Sequence, residues 1–215
     1  MNILGIENIL LFVVTGVMLN LYPGPDTLYI VGRSLSQGRG AGIAAALGIS
    51  SGSIVHTLLG AFGLSAILMT SIHAFTIVKI LGCAYLLYQG IMMLANTSRR
   101  AEAYPPEQQQ RAALFKIYRQ GALTNILNPK VAIFFLALLP QFISTSSPSK
   151  PLSFIVLGLV FITTGTIWCL VVALSASSLG SRLHRSDVVS KRLRMANGIL
   201  FILLGLTLAT AKLNS

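Results

Sequence analysis

Asn20-Leu21-Tyr22-Pro23-Gly24-Pro25-Asp26 lies inside the first long apolar segment of this chain, and a related run, Asn125-Ile126-Leu127-Asn128-Pro129-Lys130, interrupts a second. A proline inside a helix costs about 3 kcal/mol. An ionisable side chain at membrane depth adds roughly 2.5–3.5 kcal/mol on insertion scales. Irregular backbone is tolerated there only where protein buries it or it lines a cavity. Two such breaks, one in each half, predict a site between two repeats.

The rest of the composition agrees with a bilayer setting. Of 215 residues, 54% are hydrophobic and only 10% charged, which places the chain among polytopic membrane proteins. A crossing needs about 20 apolar residues. Six windows qualify, near 7–32, 41–70, 74–95, 118–143, 151–178 and 196–213. The net charge of +11 raises the question of nucleic acid, and the placement of the basic residues argues against it. Twelve of the sixteen Lys and Arg sit after windows 1, 3 and 5: Arg33 and Arg39; Arg99, Arg100, Arg111, Lys116 and Arg119; Arg182, Arg185, Lys191, Arg192 and Arg194. The opposite side holds little beyond Lys79, Lys150 and Lys212. That asymmetry predicts cytoplasmic basic loops and both termini on the periplasmic side.

The expected architecture is all-α, one membrane domain over residues 1–215. Residues 1–95 and 118–215 form two three-helix repeats of inverted topology, each with a broken first helix, joined by a polar cytoplasmic linker at 96–117. Where the linker meets the second repeat, Ala112, Phe115 and Tyr118 recur at a spacing of three beside basic residues, which reads as a short interfacial helix leading into the fourth span or as plain linker. No basic n-region precedes the first apolar run, so no cleavable signal is expected. Gly38 and Gly42, then Gly48 and Gly52, form small-residue faces; these serve close packing inside the chain, a homodimer seam or a moving gate. Cys83 and Cys169 lie in apolar spans without metal or disulfide spacing and are expected as free thiols. No cofactor is implied.

Asp26 is the leading site candidate. Two readings stand beside each other: an N-cap of the half-helix restarting after Pro25, and a carboxylate that takes up a proton or an ammonium. Lys130 lies too deep for easy snorkelling, and its expected partner is Asp26 across the breaks. Asn20, Asn125 and Asn128 offer donors and acceptors to freed backbone or to a polar ligand. Ser50, Ser53 and Thr57 share a helical face with His56 adjacent; His56 reads as a packed, hydrogen-bonded histidine or as a proton relay. Thr163, Thr164 and Thr166 add hydroxyls or bond back to their own helix. Five carboxylates in all, four of them at ends or in loops, give no enzyme site, and no phosphate-binding loop or nucleophile elbow is present.

Leu21 to Asp26 followed by Gly38 to Gly52 resembles the opening of the LysE/RhtB amino-acid exporters. Phe115 to Ile143, with Gly121, Asn125, Asn128-Pro129-Lys130, Phe134-Phe135 and Pro140-Gln141-Phe142, resembles that family's mid-chain signature. The likeness covers nearly the whole chain and is nearest the homoserine, threonine and leucine branch. The resemblance implies a carrier of the bacterial inner membrane that exports neutral amino acids by proton antiport, with Pro23, Gly24, Pro25, Asp26, Asn128, Pro129 and Lys130 at its core. Its expected partners are an amino acid, protons and the lipid bilayer. A passive channel or ion carrier and a non-transporting scaffold are the rival readings.

Overall fold

A computed structural model describes residues 4–64, 72–95, 113–179 and scattered positions from 195 to 209. Among them, α1 (Ile9–Leu21), α2 (Pro25–Gln37), α3 (Arg39–Leu58), α4 (Ile72–Ala95), α5 (Leu114–Ile126), α6 (Pro129–Ile133) and α7 (Lys150–Leu179) are α-helices. Two π-helical stretches, Leu59–Leu64 and Phe134–Leu138, extend α3 and α6, and a 3₁₀ turn, Leu139–Phe142, follows the second. The described positions between 195 and 209 are helical as well.

The protein is an all-helical polytopic membrane protein. Arg39–Gly63 and Lys150–Ser178 are each long and apolar enough to cross a bilayer. Two bent pairs also qualify: α1 with α2, bent by 50°, and Leu114–Ile126 with Pro129–Phe142, bent by 48°. The described residues thus hold up to four crossings. Much of the sixth window, the basic residues 182–194 and most of the 96–117 linker lie outside them. In the described part of the linker Leu114 opens α5, so Phe115 and Tyr118 lie on a helix that runs straight into the broken span.

Lipid exposure is written on the outer faces. Leu10 on α1, Ile54 and Leu58 on α3, Leu123 on α5 and Ile167 on α7 are large apolar side chains left outside the bundle, as expected where the solvent is hydrocarbon. Inside, α3 and α5 approach through small residues. A methyl group at Gly48 would collide with the Tyr118 carbonyl, one at Gly52 would stand 2.7 Å from the Ala122 oxygen, and one at Gly121 would stand 2.7 Å from the Ala45 oxygen. The small-residue stripe from Ala45 to Gly52 is therefore used within the chain, the first of its three expected uses. Gly38 has a different job. Its φ of +84° makes the tight turn from α2 to α3, a region that favours glycine.

The interior divides into two apolar clusters. One gathers Phe12, Phe134, Phe135, Phe142, Phe154 and Phe161 near the end that carries the N-terminal segment; its rings pack at centroid distances of 4.7 Å for Phe134–Phe161 and 5.2 Å for Phe12–Phe142. There residues 4–7 are tied to the 142–147 turn: the Glu7 N–H donates to the Phe142 carbonyl, and the Ser144 N–H to the Gly5 carbonyl. The other cluster holds Ile30, Ala45, Ala46, Ile49, Ile117 and Ala173. Beyond it, Arg33 Nη2 donates to Gln120 Oε1 at 2.8 Å, and the Tyr29 hydroxyl donates to the Ile117 carbonyl. The basic ends of α2 and α5 therefore share one end of the bundle. Both breaks fall between the two clusters.

Candidate functional site

The first break follows from missing donors. In a helix each carbonyl accepts from the N–H four residues on, and Pro23 and Pro25 have none to give Leu19 and Leu21. α1 ends at Leu21, with the Tyr22 N–H on the Met18 carbonyl. Gly24 in extended backbone is the N-cap of α2, Pro25 its first residue, and Asp26 sits in its first turn. Asp26 is therefore not the cap, as one of its two readings had it. Its carboxylate still lies at the positive end of the α2 dipole. Asn125 Nδ2 donates to Asp26 Oδ2 at 2.8 Å, while Oδ1 is buried with no hydrogen-bond partner.

The second break obeys the same rule. Pro129 deprives the Asn125 carbonyl of its donor four residues on. His56 Nε2 stands 3.0 Å from that oxygen, and the Asn128 N–H also donates to it. A carbonyl only accepts, so His56 carries a proton on Nε2. The ring stacks on Phe135 at 5.7 Å between centroids and stands outside the cavity wall, in keeping with the packed-histidine reading. Asn128 is a true N-cap: its side-chain oxygen accepts from the Lys130 backbone N–H at 3.0 Å. Its amide nitrogen is buried without a partner.

Lys130 reaches back across the bundle. Its Nζ donates to the carbonyls of Leu19 and Tyr22, each at 3.1 Å, and lies 5.6 Å from the centre of the Tyr22 ring. The direct Asp26–Lys130 pair expected from the sequence is not made. Each group instead meets polar atoms of the opposite break, Asp26 the Asn125 amide and Lys130 the two carbonyls.

Asn20, Asp26, Ser50, Ser53, Asn125 and Lys130 nevertheless line one small cavity between the breaks. Its volume of about 30 Å³ has room for one or two waters. Asn125 is the hub, since its Oδ1 accepts from Ser53 Oγ at 3.2 Å while its Nδ2 holds Asp26. Of the threonines on α7, Thr166 lines the cavity and meets Ser50 Oγ at 2.7 Å. Thr163 and Thr164 bond back to Leu159 and Val160. The sequence reading passed over Trp168 and Gly165 and took Cys169 only as a free thiol, which it is; all three complete the α7 wall. Trp168 Nε1 and Asn20 Nδ2 are buried there without partners. The one tryptophan of the chain, in a largely apolar span, was the available signal, since a buried indole N–H normally finds an acceptor.

Residues 17–212 match the family model described as LysE type translocator, a stretch that contains both breaks and the whole cavity. The chain belongs to the LysE family. It is 32% identical to an uncharacterized membrane protein of Vibrio cholerae over 94% of this chain and 97% of that one. An uncharacterized membrane protein of Pseudomonas aeruginosa is 29% identical over the full length of both. One from Bacillus subtilis is 28% identical over 76% of this chain and 80% of that relative. No solved structure matches. This LysE-type translocator is thus a membrane transporter.

Proposed function

We propose that this translocator exports a neutral amino acid from the bacterial cytoplasm across the inner membrane, in exchange for protons, by alternating access around the cavity between the two breaks. One observation carries the reading. Three buried polar atoms without partners, Asn20 Nδ2, Trp168 Nε1 and Asp26 Oδ1, belong to residues that line the same cavity as Lys130. The two N–H groups suit a carboxylate, and Asp26 Oδ1 suits an ammonium. A zwitterion answers all of them at once, and orphaned groups at membrane depth favour such a ligand strongly.

Ile49, Val131, Phe161 and Ile162 form the apolar remainder of the wall, which favours a side chain without charge. A cavity of about 30 Å³ is far below the roughly 300 Å³ at which ligand pockets begin, so binding requires an opening movement, the behaviour of a carrier rather than of an open channel. Proton coupling follows from competition: Asp26 holds either the substrate ammonium or a proton. One charge moving through 100 mV supplies about 2.3 kcal/mol, enough at about 1.4 kcal/mol per decade for a roughly forty-fold gradient.

Inverted membrane vesicles loaded with the protein test the proposal directly. Labelled neutral amino acids should accumulate saturably and only under an imposed proton gradient. Asp26→Asn should abolish gradient-driven accumulation while the protein remains inserted. Undiminished coupled uptake by that variant would remove Asp26 from the mechanism, and flux without saturation would favour the channel reading.

A further inference from the structure

The first break has the chemistry of a cation receptor. Pro23 leaves the Leu19 carbonyl without an N–H, and Leu19 is only 1% exposed, so water cannot serve it either. The Leu19 and Tyr22 carbonyls lie at the C-terminal end of α1, where the helix dipole is negative. The Tyr22 ring presents its face to the same point, 5.6 Å away, the distance at which aromatic faces attract ammonium groups. Gly24 leaves room beside it: a methyl there would stand 3.4 Å from Lys130 Nζ. Unwound backbone of this kind coordinates free coupling cations in other broken-helix carriers.

Here the position is filled from within. We propose that the first break is a monovalent-cation site whose resident is the chain's own ammonium, Lys130 Nζ, delivered from the second break. A tethered cation makes the site independent of dissolved sodium. Two carbonyls and a ring are too few oxygens for sodium in place of its water shell, but they match a primary ammonium, which donates directionally to two carbonyls and turns its remaining face to the ring. Removing the lysine side chain should therefore create a binding site for small free alkylammonium ions. The inference concerns the break itself and holds whatever solute the translocator carries.

The test is the melting temperature of purified full-length protein in detergent, at constant ionic strength, for the wild type, Lys130→Ala and Lys130→Met. Lys130→Ala should melt below the wild type and be raised saturably by ethylammonium chloride. Choline chloride, whose cation has no N–H, and sodium chloride should leave it unchanged. Lys130→Met fills the space with an apolar chain and should ignore ethylammonium, and the wild type should ignore all three salts. Absence of an ethylammonium shift in folded Lys130→Ala overturns the proposal, as does an equal shift in Lys130→Met or the wild type. Should Lys130→Ala fold only when ethylammonium is present during purification, that dependence is the predicted binding. Should it fold under neither condition, the wild type still decides: a sodium-specific rise in its melting temperature would mean that the site takes a free cation. Because melting and not flux is read, failure of the export assay leaves this result standing.

Discussion

The two breaks share a proline rule and differ in who answers it. At the first, Pro23 frees the Leu19 carbonyl and a charged side chain from the other half, Lys130, covers it. At the second, Pro129 frees the Asn125 carbonyl and an imidazole from α3, that of His56, covers it. The first break has a glycine N-cap and no side-chain cap bond, whereas the second is capped by its own Asn128. The bends are nearly equal, 50° and 48°, so similar geometry is reached with opposite electrical character. The first break presents acceptors, among them Asp26 and two carbonyls. The second sends the donors that meet them, Asn125 Nδ2 and Lys130 Nζ. Each break is thus incomplete alone, and a movement that separates the halves must leave both with unpaired groups unless a ligand fills in.

If the charged answer is the stronger one, Lys130→Met should show the largest loss of stability. It removes two hydrogen bonds from a charged donor, each worth about 1.5–3 kcal/mol, and thermal melting in detergent reads the deficit. A variant that melts like the wild type would show that the Leu19 and Tyr22 carbonyls find other donors, and the contrast between the breaks would collapse. The imidazole's answer, a single hydrogen bond, should be worth less. His56→Leu leaves the Asn125 carbonyl with backbone donors only and loses the ring stacking on Phe135, a cost of about 1–3 kcal/mol. His56→Gln, which can place an N–H near the same point, should recover part of it. A flux whose pH profile is unchanged in His56→Gln would fit a positioning role, while loss of proton coupling there would return the histidine to the relay reading. Smallest is the cap. Asn128→Ala should cost about 0.5–2 kcal/mol, whereas Gly24→Ala at the first break, where no side chain caps the helix, should be limited to crowding of Lys130 Nζ.

Much of this was legible from the chain alone because prolines and charges in an apolar run have few readings. The breaks, the all-helical class and the shared location of Asp26, Lys130 and Asn125 follow from the cost of irregular and ionisable groups in hydrocarbon. The packing use of Gly48 and Gly52 was also open to reading, since small residues at four-residue spacing permit close approach. The place of Trp168, Cys169 and Gly165 was not legible: the few hydroxyls of α7 lie in a long apolar run without helical periodicity, so no pattern marks which face turns inward. Nor was the exchange of partners. Sequence says that Asp26 and Lys130 must each be compensated, but not by whom.

By itself, then, the sequence determined that this protein crosses a membrane with two interrupted helices and keeps a carboxylate and an ammonium at the interruptions, because bilayer energetics leave such residues nowhere else to be. Only the tertiary structure decided that the ammonium answers the carbonyls orphaned by Pro23 and that an asparagine holds the carboxylate. That choice depends on distances of about 3 Å between segments some hundred residues apart, which no local pattern records.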